Sequence, residues 1–211
     1  MRISNSFRVS SFARHALLAA ALALTSIGAA RAATQAEALV SDNIHKGLEI
    51  LNSRQLSPDQ RSGQFETFLL GVTDMKRISA FTLGSYAAKI SPADRDAFAV
   101  SFQAYAVAVY QSYLGKYAGQ ALKVTGSRQN APGDDIVTTT MSDTDGRSLP
   151  IDFRVRSDTG KPVIVDFSVA GIWLALEERD QFSAFLGQNG GSISSLIAHL
   201  DTLRAKIATA G

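Results

Sequence analysis

The 211-residue chain contains no cysteine, which excludes disulfide cross-links, thiolate metal sites and attachment of a lipid to an N-terminal cysteine. Of its three histidines, only His45 and His199 lie beyond the N-terminal segment. Neither has the His-x-x-x-His or Glu-flanked spacing of a metal site, so neither a metal nor a cofactor is expected. No nucleophile elbow, Gly-Lys-Ser/Thr phosphate loop or catalytic-triad spacing is present. Repeats, linkers and low-complexity tracts are missing too.

The N-terminus combines Arg2, Arg8 and Arg14 with an apolar run from Ala16 to Ile27 and then Ala30-Arg31-Ala32. That is the pattern of a secretory signal peptide, and the run is shorter than the ~18 to 20 residues needed to span a bilayer. Residues 1–32 are therefore expected to be removed, leaving 33–211 as one domain. The leader holds four arginines, at 2, 8, 14 and 31, and no acid, so the formal charge of +2 becomes −2 after cleavage. The sequence pI of about 9.0 belongs mostly to the discarded segment, and the case for a nucleic-acid partner falls with it.

The first half of the remainder reads as helices. Thr34-x-x-Glu37 and Ser57-Pro58-x-Gln60 match the capping box, in which side-chain groups satisfy N–H groups orphaned at a helix start. Val40, Ile44, Leu48 and Leu51 follow the first, and Phe65, Phe68, Leu69 and Val72 the second, at helical spacing. Asp74 opens a short helix with Met75, Ile78 and Phe81 that stops near Gly84. Ser91-Pro92-Ala93-Asp94 opens the longest, to about Gly115, with Phe98, Phe102, Tyr105, Val109 and Tyr113 in a stripe. Such a stripe either packs against a sheet or lines a cavity.

Beyond Gly119 short runs of Val, Ile, Thr and Phe alternate with turn residues, giving four expected strands: 121–128, 135–142, 148–157 and 162–170. The connections Ala131-Pro132-Gly133, Asp145-Gly146 and Asp158-Thr159-Gly160 are short, as in an antiparallel meander. Strict alternation puts Ile151, Phe153 and Val155 with Val163, Val165, Phe167 and Val169 on an apolar face, and Asp152, Arg154, Arg156, Ile164, Asp166 and Ser168 on the other, largely polar one. Two more helices are expected, 176–186 with Gly187 as its stop, and 192–207. Helices covering one face of a four-stranded antiparallel sheet make an α+β cone, a shape that encloses a cavity.

Asp74-Met75-Lys76-Arg77-Ile78, Leu83-Gly84-Ser85-Tyr86, Phe98, Phe102 and Tyr110 resemble the opening block of the MlaC, or toluene-tolerance auxiliary, family. The segment from Val165 to Ile172, followed by Arg179-Asp180-Gln181-Phe182, is similar to its second block. The resemblance implies a nuclear-transport-factor-like cone and a periplasmic phospholipid carrier working between an outer-membrane lipoprotein complex and an inner-membrane ABC transporter with an MCE-domain subunit. Trp173 stands where the family usually has a small residue, and Glu178 where a Tyr commonly precedes the Arg. A subgroup associated with hopanoid gene clusters (HpnM) extends the ligand expectation to a polycyclic lipid.

A tail of roughly fifteen methylenes forfeits about 12 kcal/mol on entering water, at ~0.8 kcal/mol per CH2, so a carrier must sheathe it. The candidate lining is Phe81, Leu83, Phe98, Phe102, Tyr105, Val109, Val137, Met141, Phe153, Val155, Val165, Phe167, Val169 and Ile172, with Trp173 either plugging the core or forming a lip. The alternative is an isomerase-like cone enzyme acting on a small apolar substrate, with Asp166 or Asp152 as general base rather than in cross-strand charge pairs. Gly187 to Ser192 is either a helix stop or a phosphate cradle.

Overall fold

The computed structural model describes residues 35–114, 121–142 and 148–210. The expected signal peptide, Thr34 of the first capping box and the Asp145-Gly146 turn lie outside them. Helix α1 spans 35–52. It is followed by α2 (Pro58–Val72), α3 (Met75–Thr82), a 3-10 turn (Gly84–Ala88) and α4 (Pro92–Leu114). Strands β1 (Ala121–Ala131), β2 (Asp134–Ser142), β3 (Ser148–Arg156), β4 (Val163–Val169) and β5 (Ile172–Trp173) come next, then α5 (Leu174–Gln188) and α6 (Ile193–Ala210). None of the helices searched among the described residues is long and apolar enough to cross a membrane.

The helices start where their caps dictate. Ser57 Oγ accepts from the Gln60 N–H at 3.2 Å while Gln60 Oε1 accepts from the Ser57 N–H at 2.9 Å, the reciprocal capping box, with Pro58 at the first helical position. Asp74 accepts from the Arg77 N–H at 3.0 Å to open α3, and Ser91 accepts from the Asp94 N–H at 3.1 Å to open α4. Gly187 does not end α5, which runs one residue past it. The stop is Gly190 and Gly191, both at positive φ, with the Gly191 N–H bonded back to the Leu186 carbonyl at 2.7 Å. Ser192 then caps α6 through the Ser195 N–H, so the Gly187 to Ser192 segment works as a helix link.

The sheet is antiparallel in the order β1-β2-β3-β4-β5. Among the described residues it has five strands rather than the four expected. Ala170 and Gly171, at φ 52° and 85°, reverse the chain in two residues, so that Ile172 and Trp173 pair with Val169 and Ser168. The expected alternation also breaks once. Arg154 pairs with Asp166 but Val155 pairs with Ile164, which leaves Val165 as a bulge. Ile164, expected on the polar face, is therefore buried beside Val155, and Val165 departs from Phe167.

Two apolar clusters result. One is helical and joins Phe65, Leu69, Ile78, Leu83, Phe98, Phe102, Phe182 and Leu196. The other presses Ala36 and Val40 of α1 on Val137, Val155 and Ile164 of the sheet. The aromatic stripe of α4 belongs chiefly to the first. Phe98 and Phe102 meet Phe182 of α5 edge-on, at 6.0 and 6.3 Å and interplanar angles of 85°.

Candidate functional site

Val165, displaced by its bulge, lines a cleft of about 170 Å³ with Arg77, Ile78 and Phe81 of α3 and with Arg154, Arg156 and Asp166 of β3 and β4. The floor is apolar. Ile78 belongs to the helical cluster, against which Val165 packs, and the Phe81 ring is 39% exposed with the Arg179 guanidinium 5.2 Å from its centroid. The bulge re-aims a strand residue that strict alternation would put beside Phe167. A wider depression of about 520 Å³ between α1 and α2, lined by Ile50, Gly63 and Phe68 among others, touches none of the expected lining residues.

The rim of the cleft is a fixed ionic network. Arg77 grips Asp158 with both terminal nitrogens at 2.9 Å, and Arg156 reaches the same carboxylate at 2.7 Å. Arg154 holds Asp134 through Nε at 2.9 Å and Nη2 at 2.7 Å, and Arg156 adds an ion pair to Asp134 at 3.5 Å. Asp134 is only 2% exposed, and the Arg154 hydrogen bonds hold its carboxyl below the usual carboxylate range against the cost of burial. Asp158 is held low by Arg77 and Arg156. Burial raises neighbouring Asp135, and the Asp134 charge adds to the shift. The Nε of Arg156 is buried with no hydrogen-bond partner among the described residues.

Several further polar groups are half-buried or buried. Tyr105 of α4 donates to Glu178 Oε1 of α5 at 2.8 Å, and burial pushes the Glu178 carboxyl up. Tyr110 is pushed up by burial and by the charges of Asp166 and Glu178. Burial raises Asp166 as well, although its Oδ1 accepts from the N–H groups of Phe167 at 2.8 Å and Ala175 at 2.9 Å. The second of these bonds satisfies an orphan donor in the first turn of α5, a role for which Trp173, the residue at the cap position, has no side-chain oxygen. Arg154 takes Asp134 as its ion-pair partner, leaving Asp166 opposite it in register. Asp152 faces Ser168, whose hydroxyl lies 3.5 Å from its Oδ2.

The structure divides the expected lining residues into groups. Leu83, Phe98, Phe102 and Tyr105 are buried in the helical cluster, and Val109 is half-buried against it. Val137, Val155 and Phe153 belong to the sheet cluster under α1. Phe167 lies between them, 5.0 Å from Tyr110 and 6.2 Å from Phe153 by ring centroid. Met141 and Val169 are half-buried further along the sheet, and Ile172 is 57% exposed. Trp173 is half-buried and pairs with Ser168, on the register of Asp152 and opposite that of Phe153 and Phe167. Only Phe81 and Val165 of the set reach the cleft. The arginine rim escaped the sequence reading, because alternation places Arg154 and Arg156 on one face but nothing local joins them to Arg77.

The family model described as MlaC protein matches residues 41–202, from α1 to within α6. Among solved structures, the fold is similar to that of a phospholipid-binding protein from Ralstonia solanacearum, itself in complex with a phospholipid. The TM-score is 0.72 at 22% identity, over 82% of this chain and 98% of that one.

Proposed function

The chain belongs to the MlaC family, and from that premise we propose that it is a periplasmic lipid carrier. Residues 33–211 would form its one lipid-binding domain, with residues 1–32 a cleaved export signal. It takes phospholipid, or a related membrane lipid such as a hopanoid, between an outer-membrane lipoprotein complex and an inner-membrane MCE-domain ABC transporter. The observation that carries the reading is the family match, which runs through both the helices and the sheet. The Ralstonia protein adds support, since a similar fold there holds a phospholipid.

The cleft of about 170 Å³ is smaller than the ~300 to 1,000 Å³ of ordinary ligand pockets. Loading therefore has to part packed layers. The seam between the two apolar clusters, where the Tyr110, Phe153 and Phe167 rings meet, is the line along which apolar contact with protein can be exchanged for apolar contact with a tail. Such an exchange keeps hydrocarbon out of water throughout. Native mass spectrometry of gently purified protein tests the reading: retained lipid is expected, and uniformly empty protein that takes up none from vesicles would refute it.

A cone-fold isomerase is the second reading, and one observation favours it: burial raises the Asp166 carboxyl toward the range of a general base. Against it, Oδ1 of that carboxylate already accepts two backbone N–H groups. Turnover of a small ketone that disappears in Asp166→Asn would favour the enzyme.

A further inference from the structure

Asp135 of β2 is 3% exposed, and its Oδ1 is buried with no hydrogen-bond partner among the described residues. It lies two residues before Val137, on the face that α1 covers, and its cross-strand partner is Val155. Asp134, one residue earlier, points to the opposite face and takes both Arg154 and Arg156, so those cations are committed elsewhere. Residues 35–42, the first two turns of α1, include Glu37 and Asp42 but no cation. Burial raises the Asp135 carboxyl, and the charge of Asp134 raises it further. A buried carboxylate without compensation is costly, and an ammonium placed beside it offsets that cost.

The start of α1 lies at this end of the sheet. Arg61, early in α2, donates to the Leu51 carbonyl near the end of α1 at 3.3 Å, and a Cβ on Gly47 would meet the Phe68 ring at 3.1 Å. Val72, the last residue of α2, packs against the cluster that holds Val40, so the two helices run antiparallel. Thr73, directly after α2, bridges Ile164, which shares a rung with Val155 and Asp135. The first turn of α1 is thereby brought to that rung, and its Ala36, 2% exposed, packs in the cluster of Val155 and Ile164. Ala33 precedes Ala36 by three residues, a reach of at most about 11 Å. In the 211-residue chain the Ala33 nitrogen belongs to a neutral peptide bond. Hydrolysis of the Ala32–Ala33 bond puts the hydroxyl of water on the Ala32 carbonyl carbon and its hydrogen on the Ala33 nitrogen, which takes a further proton to become an ammonium.

We propose that the Ala33 ammonium freed by removal of the export signal forms an ion pair with Asp135, locking α1 onto the sheet only in the processed protein. The pair rests on the export-signal part of the carrier reading and gives processing a consequence inside the fold. The sheet cluster under α1 reaches its full stability only after the leader is gone.

The test uses protein recovered from the periplasm of an expressing bacterium, with its first residue read by intact mass and expected to be Ala33. NMR titration of the Ala33 amine is expected to give a value about one pH unit above the ordinary ~7.7 to 8.0, returning to that range in Asp135→Asn. A second form carries Gly-Ser between Ala32 and Ala33, which keeps an ammonium after cleavage but moves it up to about 7 Å along the chain. Its urea midpoint near pH 7 is expected to lie below that of the unextended protein, and Asp135→Asn is expected to abolish the difference. By linkage the difference is present below the amine's unfolded value, down to where Asp135 takes a proton, and fades as pH rises through the raised folded value. If Asp135→Asn fails to fold, the amine titration of the unextended against the extended protein decides alone. An ordinary amine value, or equal midpoints for the two forms, overturns the lock and leaves the export signal standing, because processing is read separately by mass. A chain cut at another bond overturns the lock alone, and one that keeps residues 1–32 ends the export reading with it.

Discussion

Tyr105 and Glu178 join α4 to α5 by a 2.8 Å hydrogen bond, and the second carboxylate oxygen of Glu178 is buried without a hydrogen-bond partner among the described residues. A carboxylate in that position is held where its charged form is poorly solvated, and its titration is displaced upward by burial. Folded protein thus keeps a proton on Glu178 at pH values where the unfolded chain has lost it. By linkage, the stability this group contributes is fully present below its ordinary value of 4.5 and is lost as pH rises through the folded value.

Glu178→Gln removes that titration and keeps an amide oxygen for Tyr105. The variant is expected to lose less stability than the wild type as pH rises from about 4.5 toward neutrality, and to be at least as stable near pH 7, by on the order of 1 kcal/mol. Urea unfolding across a pH series measures the difference. Asp166 and Asp135 share the upward direction while Asp134 and Asp158 oppose it, so only the difference between variant and wild type isolates Glu178.

Phe182 is the clasp of the helical cluster, edge-on to both Phe98 and Phe102 and only 2% exposed. Truncation to Ala removes the ring that Phe98 and Phe102 of α4 pack against and leaves a cavity in the cluster. A loss of about 3 to 5 kcal/mol is expected in chemical denaturation. A loss under about 1 kcal/mol would mean that the ring is not packed as described.

Ala170 sits at φ 52°, in the left-handed region that costs an L-residue roughly 1 to 2 kcal/mol. Ala170→Gly relieves this strain at the price of greater unfolded-chain freedom. A net gain of about 0.5 to 1 kcal/mol is expected, read as a raised unfolding midpoint; a lowered one would show that the turn does not hold Ala170 in this conformation.

What the sequence made legible was mostly local. The starts of α2, α3 and α4 at Ser57, Asp74 and Ser91 follow from side chains bonding backbone groups within three residues, so proximity along the chain is proximity in space. The strands were legible for the same reason, since alternation is a property of one segment. The bulge at Val165 was not, because it exists only relative to Val155 on the neighbouring strand, and it moved one expected lining residue to the cleft and brought Ile164 into the core. β5 depends on a turn with an Ala at positive φ, which no residue preference announces. The arginine rim required α3 to meet the sheet, a tertiary relation between residues some eighty positions apart.

Phe153 and Phe167 are cross-strand partners with rings 6.2 Å apart, and Phe167 also meets Tyr110 at 5.0 Å, which places them on the seam between the two clusters. Both are half-buried, so a larger ring at either position has room to adjust toward solvent and is expected to cost no more than about 1 to 3 kcal/mol of overpacking. In the carrier reading the same added volume competes directly with a tail for the seam. Phe153→Trp and Phe167→Trp are therefore expected to fold, with a cooperative unfolding transition, yet to co-purify with markedly less lipid than the wild type. A quantitative lipid extract per mole of folded protein decides the matter. Undiminished lipid in both variants would place the tails away from this seam, and loss of lipid only in step with loss of fold would assign the two rings to stability alone.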